Sequence, residues 1–383
     1  MPLGPVAGFA GACPTKHIGL VGKLDHNDGI DAALTDTFQC VNRKNGSPLR
    51  LRHIAAITSA VLVLAACGDG GGTDDASDAP SSTQKVKVAL DWTPNTNHTG
   101  LYVAQAKGFF AQHGLDVEIV QPGDADAASL LAAGKVQFAI SAQESLTQAR
   151  AQNVPLVSVA AIVQHNTSGF ASPKAKDITR PAQYAGKTYG GYGGPVEEAL
   201  LRTLVAADGG DASAVKVVNV GNADFFTATK KDIDFEWIFY GWTGVEAELR
   251  GEPVNIQYVK DYDKALDFYT PILITSENQI SSSPDVVKSF VAATSEGYTY
   301  AADHSAESAD VLLKAAPDLD KDLVTKSQEW LGPKYKDDAP RWGEQSAQVW
   351  TDFTAWLYEH KVITTQVDAT KAYTNDFLPT ANG

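Results

Sequence analysis

From residue 85 onward the chain switches repeatedly between two hydrophobic periods. Val86, Val88 and Leu90 recur at every second position, and apolar residues spaced for one face of a helix follow over 101–112, which predicts a strand running into a helix. His113-Gly114 closes that helix, and a strand is expected at 117–120. The same reading gives a helix at 127–133, a strand at 138–140, a helix at 144–152 and a strand at 156–162. A second set follows, with strands at 188–191, 215–220 and 235–240 and helices at 196–207 and 245–250. After a strand at 271–275 the chain is mostly helical, with Pro284 suited to a first helical turn. This order predicts an α/β fold of βαβ units with mainly parallel sheets. No fixed-period repeat is visible. The expected division is one lobe from residues 85–175 with 270–383, a second from 176–269, and C-terminal helices returning to the first.

Before residue 85 the pattern is different. Residues 68–84 are Gly, Asp, Ser and Thr with almost nothing apolar, so residues 67–84 are expected to form a flexible tether. Upstream, Arg50 and Arg52 precede an apolar run over 54–66 that ends Leu64-Ala65-Ala66-Cys67-Gly68. That is the layout of a secretory signal, and at about a dozen residues the run is too short to span a bilayer. Its end resembles a bacterial lipobox, which implies cleavage before Cys67 and a lipid on its sulfur. Residues 1–66 are therefore read as a signal region. Met1 is the sole methionine, and residues 1–40 do not look like the start of a signal peptide, so they are read as a mis-assigned start, with Val41 a candidate initiation position.

Charge and cysteine content then narrow the chemistry. The net charge of -15, with no cluster of Lys and Arg after residue 52, argues against a nucleic-acid partner. All three cysteines, Cys13, Cys40 and Cys67, precede the body, which has no thiol for disulfides, metal cages or nucleophilic catalysis. No HExxH, CxxC or GxSxG motif occurs. Gly186-Lys187-Thr188 lacks the first glycine of a phosphate loop and precedes its strand, so nucleotide binding is not expected there. Neither a metal nor a cofactor is expected.

The candidate binding residues gather at strand ends. Residues 91–100, Asp-Trp-Thr-Pro-Asn-Thr-Asn-His-Thr-Gly, lie between a strand and a helix, where ligands dock in open α/β sheets. Asp91, Trp92, Asn95 and His98 offer a carboxylate, an indole, an amide and an imidazole, a wall suited to a small polar aromatic ligand. With no second histidine nearby in sequence, His98 is read as a hydrogen-bonding group. The glycine-rich turn 190–195 lets backbone approach a ligand, with Tyr192 and Gly193 at its tip and Glu197 in the next helical turn as an acceptor for an amino group. Trp237, Tyr240 and Trp242 sit towards the end of the strand over 235–240, whereas Phe235 and Phe239 are read as core. Gln143, Glu144 and Ser145 at a helix start are also candidates, with simple helix capping as the alternative. Trp330, Trp342, Trp350 and Trp356 are expected to be packing residues.

Residues 91–117, from Asp91-Trp92 through Gly108-Phe109-Phe110 to Gly114-Leu115-Asp116-Val117, resemble the NMT1/THI5-like family. Residues 234–242 and Phe268-Tyr269-Thr270-Pro271 are similar to the same group, so the resemblance covers essentially 85–380. It implies a type II periplasmic-binding-protein fold, two α/β lobes closing on a cleft, and adds Tyr269 to the expected site. It also implies a pyrimidine precursor of thiamine, of the formylaminopyrimidine or hydroxymethylpyrimidine type, delivered to the permease subunits of an ABC transporter. The chain would act outside the cell as a monomer held at the membrane through the lipid on Cys67. Riboflavin or another small organic solute is the alternative ligand. The family also contains thiamine-pyrimidine synthases, which carry Lys and His where this chain has Ser141 and Ser145, and a cysteine-rich run near 267–271. With neither feature present, no catalysis is expected.

Overall fold

The alternation that opens the chain buries Val86 and Val88 in the first strand, and a pair of glycines fixes how the first helix packs beneath it. The computed structural model describes residues 83–380 apart from Pro122 and Asp124. The signal region, Cys67 and the tether up to residue 82 lie outside the described residues. The first pass of the chain gives β1 (Gln84–Ala89), α1 (Thr99–Ala106), α2 (Phe109–Gln112) and β2 (Leu115–Val120). It continues through α3 (Ala127–Ala132), β3 (Phe138–Ser141), α4 (Gln143–Ala151) and β4 (Leu156–Ala161). The helix expected over 101–112 is two, because Gly108 has φ 77 and breaks it.

The chain then crosses and builds β5 (Ser168–Pro173), β6 (Thr188–Gly191), α5 (Pro195–Ala207), β7 (Lys216–Asn219) and α6 (Phe225–Thr229). β8 (Phe235–Phe239), a wide π-type turn at Tyr240–Gly244, α7 (Val245–Leu249) and β9 (Val254–Tyr258) follow. It returns as β10 (Ile272–Ser276), α8 (Glu277–Ser282), α9 (Pro284–Asp303), α10 (Ser305–Ala315), α11 (Lys321–Leu331) and α12 (Ala347–Glu359).

The strands form two five-stranded sheets, ordered β2-β1-β3-β10-β4 and β7-β6-β8-β5-β9. Each has four strands pointing one way and a single antiparallel strand in the fourth place, β10 in the first and β5 in the second. That odd strand is in both sheets the one that arrives from the other lobe. The two lobes thus repeat one topology that the sequence does not display as a repeat. The expected boundary at residue 175 is corrected accordingly. β5 ends at Pro173 and pairs with β8 and β9, so the crossing falls between β4 and β5. A strand pattern alone does not say which sheet a strand joins.

Separate cores fill the lobes. In the first, Phe138 stacks on Phe290 of α9 with ring centroids 3.9 Å apart. In the second, Phe170, Tyr184 and Phe235 pack together behind the sheet. The C-terminal helices do not all return to the first lobe. α12 places Trp350 in a first-lobe cluster with Ile272, and Phe353, Trp356 and Leu357 in the second-lobe core, where Phe353 stacks on Phe268 at 4.0 Å. It therefore straddles the crossings.

α1 crosses α9 at two glycines. A Cβ at Gly297 would stand 2.1 Å from the Gly100 carbonyl oxygen, and one at Gly100 would enter the Tyr298 ring. Gly297→Ala is expected to destabilise the protein by about 1–3 kcal/mol through overpacking. Urea unfolding checks this, and a midpoint equal to the native protein's would show that the helices do not need this approach.

Candidate functional site

Because four strands of each sheet run the same way, their carboxyl ends gather at one edge, and the amino end of the antiparallel strand joins them. The segments that follow β1, β6, β7 and β8 and the one that precedes β10 enclose a cavity of about 480 Å³. Asp91, Trp92, Asn95 and Asn97 come from the first lobe. Tyr192, Asn222, Asp224, Phe225, Phe226, Glu236, Trp242, Thr243 and Glu246 come from the second, while Thr270 and Pro271 belong to the return crossing. Trp92 is 47% and Tyr192 53% exposed, an unusual state for large aromatics, and they stand on opposite lobes.

Four lining residues are carboxylic acids: Asp91, Asp224, Glu236 and Glu246. No Lys, Arg, His, Cys or Ser is among the lining residues described. Three of the four have partners. Asp224 caps α6 by accepting from the Thr227 amide at 2.9 Å and hydroxyl at 2.6 Å, and Glu246 pairs with Arg250. Asp91 meets His98, whose Nε2 lies 2.7 Å from Oδ1. The other ring nitrogen of His98, Nδ1, accepts the Asn95 amide at 3.3 Å, so Nε2 carries the proton and donates to Asp91. His98 is fully buried.

The sequence-predicted residues divide sharply. Asp91, Trp92, Asn95, Tyr192 and Trp242 line the cavity. His98 does not, and acts behind Asp91 instead. Gln143 is a buried staple between α4 and the return crossing: its Oε1 accepts the Tyr269 amide at 2.9 Å and its own amide donates to the Tyr269 carbonyl at 3.0 Å. Tyr269 is held there too, its hydroxyl accepting the Ser346 amide at 2.8 Å. Glu197 is consumed by the glycine turn, accepting from the Tyr189 hydroxyl and from the Tyr192 and Gly194 amides at 2.6–2.9 Å. It is a helix-start carboxylate and not a ligand acceptor. Gly193 has φ 91, and a Cβ there would strike the Asn219 side chain, so its role is to make the turn.

Trp237 points to the face of β8 opposite Glu236 and Ile238 and packs in the core. Tyr240 turns out of the cavity, its hydroxyl donating to Glu248 and its ring against Trp330 at 5.3 Å. Ser145 is exposed on α4 and outside the lining. Glu144 is also outside it, with Oε2 buried and unpartnered. Burial, against the pull of its own backbone amide and with help from the Asp91 carboxylate, pushes the Glu144 carboxyl up to about 7.

Sequence reasoning missed Asn97, Asn222, Ala223, Asp224, Phe225, Phe226, Glu236, Ile238, Thr243, Glu246, Thr270 and Pro271, and read Phe239 as core although it lines the cavity at the end of β8. One signal was available: Glu236 is a lone carboxylate in an apolar strand, two positions from Ile238, which shares its face.

Comparison with known proteins places this geometry. The family model described as NMT1/THI5 like matches residues 95–308. The formylaminopyrimidine-binding protein of Halalkalibacterium halodurans is 30% identical over 84% of this chain and 98% of its own length. A 4-amino-5-hydroxymethyl-2-methylpyrimidine phosphate synthase of Legionella pneumophila is 25% identical over 78% of this chain and 94% of its own. The relatives thus include a binding protein and a synthase. Among solved structures, the alkanesulfonate-binding protein SsuA of Xanthomonas axonopodis bound to MOPS superposes with a TM-score of 0.61 at 15% identity, covering 76% of this chain and 98% of that one. That likeness is one of fold, and it identifies the type II periplasmic-binding-protein architecture.

The Glu144 carboxyl sets a pH-dependence. Its folded value of about 7 exceeds the usual carboxyl range, so the unfolded chain releases this proton first. Stability is lost as pH rises from about 4.5 to about 7. Glu144→Gln is expected to raise Tm at pH 8 and leave it unchanged at pH 4. Equal melting of variant and native protein at both values would show that the carboxyl is not held neutral.

Proposed function

The chain belongs to the NMT1/THI5-like family, and from that premise we propose that it is an extracytoplasmic substrate-binding protein of an ABC importer. Its ligand is a thiamine pyrimidine precursor, of the formylaminopyrimidine or hydroxymethylpyrimidine type. The observation that carries this is the lining itself: two exposed aromatic rings on opposite lobes, four carboxylic acids and no cation. A flat aminopyrimidine stacks between Trp92 and Tyr192 as the lobes close, and its amino group and ring edge meet carboxylates and the Asn95 and Asn97 amides. A sulfonate would find no positive partner and a lining whose ionisable side chains are carboxylic acids.

The same lining argues for binding without catalysis. It offers no amine for an imine, no thiol or serine nucleophile and no histidine base, and the one nearby imidazole is turned away to hold Asp91. Both walls come from one chain, which suits a monomer that presents its cleft to permease subunits. Attachment to the outer face of the membrane through a lipid on Cys67 completes this reading.

Two measurements test it. In a thermal-shift panel of hydroxymethylpyrimidine, formylaminopyrimidine, thiamine, riboflavin and methanesulfonate, a pyrimidine at a hundredfold excess over Kd should add about 2.7 kcal/mol of stability. Trp92→Ala should weaken it by roughly 5- to 150-fold, the worth of about 1–3 kcal/mol for one ring stacked on an aromatic side chain. A shift with riboflavin or the sulfonate alone would replace the ligand assignment. For the anchor, Cys67→Ser is expected to move the protein from the membrane to the soluble fraction on cell fractionation; retention of the variant in the membrane would remove the lipid from the account.

A further inference from the structure

Glu236 stands apart from the other acids of the cavity. Asp91, Asp224 and Glu246 each have a partner, whereas Glu236 is 7% exposed and its Oε1 is buried with none. It lies on β8 opposite Gly190 of β6, and a Cβ at Gly190 would come within 3.2 Å of that oxygen. The glycine therefore leaves the space the carboxyl occupies. Around it stand acids, Tyr189 on β6, Tyr192 on the glycine turn, Asp224 before α6, Glu246 on α7 and Asp91 across the cleft, and one cation, Arg250, which is paired with Glu246 and lies 4.2 Å over the Phe226 ring. Burial, with Asp224 adding to it, pushes the Glu236 carboxyl up to about 7.

Resting on the aminopyrimidine reading above, we propose that Glu236 selects the ligand by its protonation state, its carboxyl and a ring nitrogen of the bound heterocycle sharing a single proton. The balance is simple. A neutral ligand meets the protonated acid, whose O–H donates to the ring nitrogen; an N-protonated ligand meets the carboxylate, which accepts its N–H. Both routes reach one complex carrying one proton. When both partners are deprotonated, two lone pairs face each other and a proton must be taken up. When both are protonated, one must be released. Affinity is therefore highest between the two ionisations and falls on either side. A flat ring without a basic nitrogen cannot share the proton and at most accepts from the neutral acid, and a sulfonate is repelled once the carboxyl ionises.

Calorimetric titration of the full chain with 4-amino-5-hydroxymethyl-2-methylpyrimidine between pH 5 and 9, in two buffers of different ionisation enthalpy, tests the proposal. Native protein should lose affinity about tenfold per pH unit above pH 7 and take up close to one proton there. In Glu236→Gln the amide donates to the neutral ring at every pH, so the alkaline limb should vanish. A native profile flat from pH 7 to 9 without proton uptake, or an unchanged limb in the variant, overturns the proposal while leaving the ligand assignment in place. Failure of the pyrimidine to bind native protein at any pH overturns both. The Glu144 carboxyl titrates in the same range, so if Glu236→Gln does not fold, proton uptake that persists in Glu144→Gln decides for Glu236 and uptake that is lost there overturns the proposal.

Discussion

Each sheet of this protein is completed by a strand that comes from the other lobe, and the rest of the architecture follows from that exchange. β5 must enter the second sheet between β8 and β9, and β10 must enter the first between β3 and β4. Both enter antiparallel, so the two crossings run side by side and meet the same edge where the parallel strands end. Asp267 ties them together: Oδ2 lies 2.7 Å from His165 Nδ1 and Oδ1 accepts the Asn166 amide at 2.7 Å. Thr270 and Pro271 then continue from this tie into the cavity wall. Crossing and site are one stretch of chain, and α12, with a foot in each core, spans the join.

The exchange also explains which residues the cavity can use freely. Groups near the crossings are spent on holding them, as Gln143 and Tyr269 are. Groups beyond the strand ends are held from behind instead. His98 receives the Asn95 amide on one nitrogen and gives its proton to Asp91 with the other, which fixes the carboxylate without adding a cation to the lining. The glycine run at 190–194 plays a comparable part on the other lobe. A Cβ at Gly191 would meet Glu197 Oε2 at 2.7 Å and one at Gly190 would approach Glu236, so the glycines make room for carboxylates of the protein itself. The anions that these glycines accommodate are side chains.

Much of this was legible in the chain before folding. Hydrophobic periods located eight of the ten strands, and the rule that ligands gather at strand ends found Asp91, Trp92, Asn95, Tyr192 and Trp242. β5 and β9 escaped because a short strand's membership of a sheet is decided by partners far away in sequence. Gln143, Glu197, Tyr240 and Tyr269 were sought in the cavity because their side chains can bind ligands; local sequence does not reveal that a backbone amide or neighbouring acid has already claimed them. The reverse error hid Asp224, Phe225 and Phe226. They follow β7, which the hydrophobic period did locate, but lie in a turn and a short helix, Phe225–Thr229, to which no element was assigned. Glu236 was passed over as part of an apolar strand, although period-two alternation puts it on the face opposite Phe235 and Trp237.

Glu236 also shows why the fold alone does not fix the ligand. An alkanesulfonate-binding protein shares this architecture, yet an anion would have to enter a cavity here whose ionisable lining groups are acids. Leaving a carboxyl buried and unpartnered costs stability in the empty protein. On the proposed reading, that cost is recovered by a ligand that brings a complementary donor or a shared proton while its ring stacks against Trp92 and Tyr192. A ligand that stacks but lacks the polar edge leaves the acid unsatisfied, and one that has the edge but no flat face is not held. On that reading, shape from two aromatics and an unmet hydrogen bond in the same cavity act together, and discrimination arises from what the wrong ligand fails to repair.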